Sequence, residues 1–313
     1  MFTEQLQRER RMLEEIWKYH RNHLTDEGIL MCQKHNGFVR WMRRYKSGGT
    51  VCYQAVRKKD REQAERLALN HYRIVMMETI QEKIAEIDRF MQGCQGTGKA
   101  EKAEKLPSAG ASELLRTLHN PPRRPVDFLR QGSPYSELLL PYLRQEYSWV
   151  IDWFQSEYKK NTDKQEKLVF DTEAGIKVRS KSEVLATNRL RRSGVLFHYE
   201  EQLVLPGDVV FPDWLIPLSK AEQIAWEHNG AMDIQGYNYR TRGKVVSYLE
   251  GQWLPGVNMI DTYESREHPF SEEDVEYVME WLLPRYRAAY PDLPPDGAFT
   301  LYDVMRGTSD AEE

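Results

Sequence analysis

The chain has 313 residues, 40% hydrophobic and 29% charged, a composition typical of a globular protein with a buried core and a length sufficient for two domains. Its net charge of −4 gives no sign of a nucleic-acid binder, although a sum over the whole chain can hide a local asymmetry. The sequence has no C-x-x-C pair, which predicts a protein without a disulfide framework in a reducing cytoplasm. It also has no N-terminal apolar segment and no run of 18 apolar residues, so neither a signal peptide nor a membrane span is expected.

The N-terminal part alternates between helix and strand patterns. Apolar residues at helical spacing predict one helix over residues 2–24 and a long helix over about 60–92. Between them, three short runs rich in β-branched and aromatic residues are separated by Asn36-Gly37 and by a Gly-rich turn at 46–49. Asn-Gly favours a tight hairpin because both turn positions need positive φ. The runs therefore predict a three-strand meander.

The predicted meander is the most basic part of the chain. Residues 34–61 contain nine lysines and arginines against one acid, Asp60. Such a local excess is the electrostatic signature of phosphate binding and predicts a DNA-binding surface. The side chains expected to contact DNA there are Arg40, Arg43, Arg44, Lys58 and Lys59. The alternative is a solvated face that pairs with the acidic helices around it.

The middle of the chain carries less pattern. Residues 93–112 are rich in Gly, Ala and Lys and predict a loop, and a helix is predicted over 136–158. The run GCQGTGKA nearly matches a phosphate-binding loop, but Ala100 stands where a hydroxyl would have to bind Mg²⁺. It also follows a helix instead of a strand, so no nucleotide site is expected.

Helix and strand patterns alternate densely over residues 165–290. A helix is predicted over 178–194, beginning near Ser180 or Ser182 and ending at Gly194. Two strands follow, VLFHYEEQLVL and DVVFPDWLI, joined by a turn at Pro206-Gly207, and QIAWEHNG forms a third strand. YNYRTRGKVVSYLEGQ is then a crossover helix and VNMIDTYES a fourth strand. The predicted order of this region is αβββαβ.

Three acids lie on elements that this order brings together. Glu183 is on the first helix, Asp213 follows a proline in the second strand, and Glu227 lies inside the apolar third strand. Clustered carboxylates repel one another unless a cation neutralises them. Because oxygen-only ligands suit Mg²⁺ or Mn²⁺, the sequence predicts a metal site formed by these three residues.

The segments around the acids resemble a known family. RSKSE at 179–183, FPD at 211–213 and WEHNG at 226–230, in the order αβββαβ, are similar to the PD-(D/E)XK superfamily of restriction-endonuclease-like nucleases, and most of all to its bacterial and prophage-type members with RSKSE, (F/Y)PD and WEHxG motifs. The resemblance covers residues 170–265. It implies an α/β restriction-endonuclease-like core and a Mg²⁺- or Mn²⁺-dependent endonuclease that hydrolyses DNA phosphodiester bonds.

One position departs from the family pattern. The motif lysine would lie two residues after Glu227, where this chain has Asn229, which cannot supply a cation. In this superfamily the lysine can move to a neighbouring element, so Lys244 on the crossover helix is the first candidate, followed by Lys181 and His228. Lys181 is also expected to contact DNA. The complete set of expected catalytic residues is Glu183, Asp213, Glu227, His228 and Lys244.

The predicted organisation is a mixed α/β chain of four segments. They are a helical region with the basic meander at 1–95, a loop and helical linker region at 96–160, the nuclease-like domain at 165–290 and a C-terminal tail at 291–313. DNA is the expected partner, and cutting of a duplex would favour a homodimer. Two alternatives stay open. One is a nucleic-acid-binding protein on a nuclease scaffold without turnover, and the other is a protein-interaction module with a decayed site.

Overall fold

A computed structural model gives the fold of most of the chain. It describes residues 2–35, 38–94, 122–230, 232–233 and 235–306. These residues form a mixed α/β structure, which confirms the predicted class. Among them, no helix combines the length and the apolar character that crossing a membrane requires. Two compact units divide the chain, one formed by Met1–Glu146 and Tyr290–Glu313 and the other by Tyr147–Ala289.

The first unit combines helices with one small sheet. Its helices up to Glu146 are α1 (Phe2–Asn22), α2 (Arg61–Cys94), α3 (Pro125–Leu129) and α4 (Ser136–Glu146). Its strands are β1 (Ile29–His35), β2 (Phe38–Ser47) and β3 (Thr50–Val56). The strands pair antiparallel in the order β1-β2-β3, as the alternating runs predict. The predicted turn residues Asn36-Gly37 lie outside the described part of the chain.

The long helix α2 is the centre of the first unit. It packs against α1, β1, α3 and α4, and residues on several of its sides are buried, including Leu67, Met76 and Ile80. Polar side chains of α2 also hold the start of the meander. The Nδ1 atom of His71 lies 2.8 Å from the carbonyl oxygen of Leu30. Burial lowers the pKa of His71 to about 4, so the ring is neutral at physiological pH.

The second unit contains a four-stranded sheet and several short strands. Its helices are α5 (Ser148–Gln155), α6 (Lys181–Arg192), α7 (Gln235–Glu250) and α8 (Glu272–Ala289). Its strands are β4 (Phe170–Asp171), β5 (Lys177–Val178), β6 (His198–Tyr199), β7 (Leu203–Leu205), β8 (Asp208–Val210), β9 (Trp214–Pro217), β10 (Gln223–Asn229) and β11 (Met259–Tyr263). The large sheet has the order β11-β10-β9-β6. Its strands β6, β9 and β10 pair antiparallel, whereas β11 pairs parallel to β10 after the crossover helix α7.

The first two strands predicted for this region are each divided in the structure. The first ends at Tyr199, because Glu200 has a φ of 52°, which a strand cannot continue. The segments β7 and β8 form a separate hairpin, whose turn has Gly207 at a φ of 80°. Pro212 has no N–H for a sheet ladder, and β9 begins only after Asp213.

Helix α6 begins after Ser180, one of the two serines near which the sequence predicts its start. Ser180 has an extended backbone, and its Oγ accepts the backbone N–H of Glu183 at 3.1 Å. In return, the Glu183 carboxylate accepts the hydroxyl of Ser180 at 2.9 Å and the backbone N–H of Arg179 at 3.0 Å. These reciprocal hydrogen bonds are those of a capping box, extended by one residue.

Replacing Ser180 by alanine should therefore destabilise the second unit by about 0.5–2 kcal/mol, the range for loss of a helix N-cap. Urea unfolding followed by tryptophan fluorescence would measure the change. The variant Ser180→Thr keeps the hydroxyl and serves as the control. A Ser180→Ala protein as stable as the wild type would show that the cap contributes nothing.

The large sheet is covered on both faces. On one face, Trp214 donates its Nε1–H to Thr187 of α6 at 3.0 Å and contacts the ring of Trp226 at a centroid distance of 4.8 Å. On the other face, a buried cluster packs around Tyr248 of α7. The cluster consists of Leu205, Val210, Leu215, Ala225, Tyr248 and Met259. Because strand residues alternate, Glu227 shares the face of Ala225, which is the face covered by α7.

The compact units divide the chain differently from the predicted segments. The helix predicted over 136–158 is interrupted at Tyr147, so α4 belongs to the first unit and α5 to the second. The predicted tail contains a further helix, α9 (Leu301–Arg306), whose Leu301 and Val304 are buried in the first unit. Most of the predicted loop and the last residues of the tail, 95–121 and 307–313, lie outside the described residues.

Candidate active site

The three predicted acids approach one another in the second unit. Glu183 lies in the first turn of α6, Asp213 immediately precedes β9, and Glu227 lies in β10. The Oδ2 atom of Asp213 accepts the backbone N–H of His228 at 2.7 Å, which places this carboxylate beside Glu227 on the neighbouring strand. Asp213 is close enough to both other acids for their negative charges to act on it.

Burial and repulsion determine the charge of these acids. Burial is the main cause that raises the pKa of Asp213 well above its ordinary value, and the charges of Glu227 and Glu183 raise it further. Burial also raises the pKa of Glu227, although Lys244 and the hydroxyl of Tyr248 favour its charged form. Without a further cation, Asp213 and Glu227 therefore keep a proton at pH values at which exposed carboxylates have lost it.

Lys244 is a cation that reaches these acids. Its Nζ forms a short ion pair with Oε1 of Glu227 and donates to the carbonyl oxygen of Phe211 at 3.3 Å. Tyr248, one turn later on α7, donates its hydroxyl to Oε2 of Glu227 at 3.1 Å. Lys244, the first candidate to replace the missing motif lysine, thus contacts the Glu227 carboxylate.

Asn229, where the resemblance to PD-(D/E)XK nucleases would place a lysine, carries an amide donor without a partner among the described residues. Its side chain is only 4% exposed, and its Nδ2 has no hydrogen-bond acceptor among the described residues. An unpaired buried donor costs about 1–3 kcal/mol. Strand alternation puts Asn229 on the same face of β10 as Glu227. The amide is therefore a hydrogen-bond donor that a ligand at this site can use.

Asp261 is a fourth acid, which the sequence did not single out. The parallel pairing of β10 and β11 puts it directly beside Glu227. Burial, followed by the charge of Glu227, raises the pKa of Asp261 to about 6. Asp213, Glu227 and Asp261 thus form a row across three neighbouring strands. The apolar pattern of VNMIDTYES did place Asp261 in a strand, but its partner depends on a register that only the structure supplies.

The ring of His228 does not point toward the acids. Strand alternation turns it to the opposite face of the sheet, where Nδ1 lies 3.0 Å from Thr262 Oγ1 and Nε2 lies 3.5 Å from Glu264. Burial lowers its pKa, so the ring is neutral at pH 7. The predicted catalytic role does not agree with this position. His228 contributes to the site through its backbone N–H, which binds Asp213.

Glu183 is bound by donors of its own neighbourhood. In addition to the two capping hydrogen bonds, its Oε2 accepts the hydroxyl of Tyr199 at 2.5 Å. In the described part of the chain, no group of three or more His, Cys, Asp or Glu side chains is arranged to hold a metal ion. Both carboxylate oxygens of Glu183 thus accept hydrogen bonds, and the binding of one ion by Glu183, Asp213 and Glu227 stays a prediction.

A surface cleft gives access to Lys244. Its lining includes Asn161, Phe211 and Gly243 as well as Lys244 itself. Lys181, the second lysine considered from the sequence, is exposed and lines a different cleft. Both lysines are thus accessible, and it is the contact with Glu227 that distinguishes Lys244 from Lys181, which makes no such contact among the described residues.

Three of the five cations predicted on the meander are accessible. Arg40 and Lys59 are exposed. Lys58 is exposed as well, and its Nζ lies 3.5 Å from the centroid of the Trp41 ring. A cation over an aromatic ring is held in a defined position and still keeps its charge. These three side chains are available to phosphate groups.

The remaining two cations of the meander have internal roles. Arg43 donates its Nε–H to the carbonyl oxygen of Glu27 at 2.6 Å, and its guanidinium lies 4.3 Å from the ring centroid of Tyr45. Arg44 is only 2% exposed and cannot reach a phosphate. The predicted DNA contact of Arg44 is therefore wrong for this structure. The run of two consecutive arginines in the sequence does not indicate which side chain is buried.

Comparisons with known proteins add no relative. No family model, no curated protein and no solved structure matches the chain. The resemblance to PD-(D/E)XK nucleases therefore stays a prediction.

Proposed function

We propose that the second unit is a Mg²⁺- or Mn²⁺-dependent endonuclease of PD-(D/E)XK type that hydrolyses phosphodiester bonds of DNA. The observation that carries the proposal is the contact of Lys244 with Glu227. The chain lacks a lysine at position 229, yet an amine reaches the same carboxylate from the following helix. The order of α6, three antiparallel strands, α7 and a parallel fourth strand also supports it.

Asp213 and Glu227 fit a hard divalent cation. Both offer carboxylate oxygens. Glu227 is buried, Asp213 is half-buried beside it, and both have raised pKa values, which is the setting in which a cation would replace a proton. Mg²⁺ commonly binds one or two carboxylates and keeps several waters. When bound, the ion would supply the positive charge that stabilises phosphoryl oxygens and favours ionisation of a water molecule. Glu183 would add negative charge from its position in the cap.

The other residues of the site would position the substrate. A DNA strand in the cleft beside Phe211 would bring a phosphate next to Lys244, whose charge would stabilise the negative charge that develops on the phosphoryl oxygens. Tyr248 would orient Glu227 through its hydrogen bond. The free Nδ2 of Asn229 would donate to an oxygen of the bound ligand.

The first unit would add affinity for the same substrate. The exposed side chains of Arg40, Lys58 and Lys59 would bind backbone phosphates, since a phosphate-binding surface needs accessible cations. Cutting both strands of a duplex takes two such sites, so a homodimer is the assembly that this activity would favour.

A second candidate function is DNA binding without cleavage. The ion pair that Lys244 makes with Glu227 occupies a carboxylate that the metal would need. If this pair persists in the presence of metal, the unit would bind nucleic acid on an inactive nuclease scaffold. The two functions differ in turnover and not in binding.

Incubation of the purified chain with supercoiled plasmid and with circular single-stranded DNA tests the proposal. Cleavage should occur with Mg²⁺ or Mn²⁺ and disappear with EDTA. The isosteric variants Asp213→Asn and Glu227→Gln should lose nearly all activity, whereas Glu222→Gln, which changes an exposed acid of the β9–β10 turn, should retain it. DNA binding without cleavage under both ions would contradict the endonuclease and support the second candidate.

A further inference from the structure

One face of the β1–β3 meander carries aromatic and basic side chains together. Alternation along β2 puts Phe38, Arg40, Met42, Arg44 and Lys46 on the same side of the sheet, where Arg44 is the buried member of this set. The pairing of Met42 with Ala55 and of Arg44 with Tyr53 puts Tyr53 of β3 on this side as well. We call this side of β2 and β3 the open face, since its residues other than Arg44 are exposed or half-buried.

The two aromatic rings of the open face are unusually accessible. Phe38 is 77% exposed and Tyr53 is 55% exposed, although both belong to regular strands. Phe38 lies six positions before Arg44, the partner of Tyr53, which corresponds to about 20 Å along the strand. Two rings so far apart cannot stack on one base. They can hold one extended ligand at two points.

The charge of the open face selects an anionic ligand. None of the strands β1, β2 and β3 contains an Asp or a Glu. Two exposed cations lie on this face: Arg40 lies between the two rings, and Lys46 lies two positions past the partner of Tyr53. An extended polyanion with flat apolar groups matches this combination of surface cations and exposed rings, and single-stranded nucleic acid has that chemistry.

From these observations we infer that the open face binds single-stranded DNA. Unpaired bases would stack on Phe38 and Tyr53, while phosphates would bind Arg40 and Lys46. A duplex keeps its bases inside the helix and cannot use the rings in this way. The inference rests on the proposed function for its substrate, DNA, but it concerns binding alone and does not depend on cleavage.

Fluorescence anisotropy with labelled oligothymidylate, measured in EDTA so that no cleavage occurs, tests this site. The wild type should bind the single strand more tightly than a blunt duplex of equal length. The variants Phe38→Ala and Tyr53→Ala should each weaken single-strand binding by on the order of 10-fold, because loss of one base–aromatic stack has an effect of that size. Tyr53→Phe keeps the ring and should bind like the wild type.

Salt dependence separates stacking from charge. Arg40→Ala should lower the slope of log K against log salt by roughly 0.7, the contribution of one phosphate contact on a single strand, whereas Phe38→Ala should leave the slope unchanged. Tyr277→Ala removes a ring of α8 that is 65% exposed, and it should change nothing. Thermal melting checks that the variants fold.

Two results would overturn the inference. One is tighter binding of the duplex than of the single strand, and the other is wild-type affinity in both aromatic-to-alanine variants. Neither depends on the catalytic site. A protein that cuts DNA but fails this test keeps the proposed function, and one that passes it without cutting keeps only the binding surface.

Discussion

The variant Lys244→Ala should cleave DNA more slowly than the wild type by a factor on the order of 10²–10³. This is the usual effect of removing one well-placed group that stabilises charge in a transition state. Lys244 touches Glu227 and lines the cleft by which a phosphate would enter. The rate constant should fall while the affinity for DNA changes little, since the phosphates held elsewhere on the protein keep their partners.

A second substitution distinguishes a catalytic lysine from a structural one. The side chain at position 229 lies on the same face of β10 as Glu227, so a lysine there would bring an amine to the same carboxylate. The double variant Lys244→Ala/Asn229→Lys should therefore recover part of the lost activity. If Lys244 only stabilised the fold, a lysine at 229 would restore no cleavage.

The matched control is Lys220→Ala, which removes an exposed lysine of the same unit. Its cleavage rate should equal that of the wild type. Near wild-type cleavage by Lys244→Ala would contradict the assignment and would leave Lys181 as the remaining lysine candidate. The rates should be compared under Mg²⁺ and under Mn²⁺, and the ratio of wild-type to variant rate should be large with both ions.

In the absence of divalent ions, Asp213→Asn should be more stable than the wild type at pH 8, by about 1.4 kcal/mol for each unit by which folding raises the pKa of Asp213 toward that pH. The amide retains an oxygen that can accept the N–H of His228, as Asp213 does at 2.7 Å. It removes the negative charge that Glu227 and Glu183 repel. Urea unfolding followed by fluorescence of the buried Trp214 and Trp226 would report on this unit.

The stability difference between Asp213→Asn and the wild type should depend on pH. The pKa of Asp213 is raised in the folded state, so the folded protein keeps a proton that the unfolded chain releases above about pH 4. The contribution of Asp213 to stability is therefore most favourable at low pH and declines as the pH rises toward the folded pKa. The stability advantage of Asp213→Asn should thus be larger at pH 8 than at pH 5. An advantage that did not depend on pH would show that charge is not its cause.

Added Mg²⁺ should reduce or reverse the difference in stability between Asp213→Asn and the wild type. A ligand that binds only the folded state stabilises it by about 2.7 kcal/mol when its concentration is 100 times the dissociation constant. Mg²⁺ should therefore stabilise the wild type at pH 8 and have little effect on Asp213→Asn. Equal stabilisation of both proteins would place the ion somewhere other than at Asp213.

Local sequence signals predicted much of the site. The Ser180 cap, the strand around Glu227 and the crossover helix all follow from residue types within one or two turns, and the structure has each of them. Such features depend on neighbours in sequence, which is why a single chain reveals them.

Features that depend on contacts between distant elements were missed. The neighbour of Asp261 depends on the register of two parallel strands, and the burial of Arg44 depends on packing in the first unit. The direction of the His228 ring is a different case. Strand alternation alone separates neighbouring residues by face, so the position of Glu227 already implied that His228 points the other way.

The crossover helix α7 has a consequence for local unfolding. Lys244 and Tyr248, both on this helix, hold the two oxygens of Glu227, and Gly243 within it lowers intrinsic helix stability by about 1 kcal/mol relative to alanine. When the helix opens, the carboxylate loses both partners together. The opening free energy of α7 and the charge of the site are therefore thermodynamically linked. Acid, which protonates Glu227 and weakens its hold on the helix, should make α7 one of the first segments of the unit to exchange its amide hydrogens.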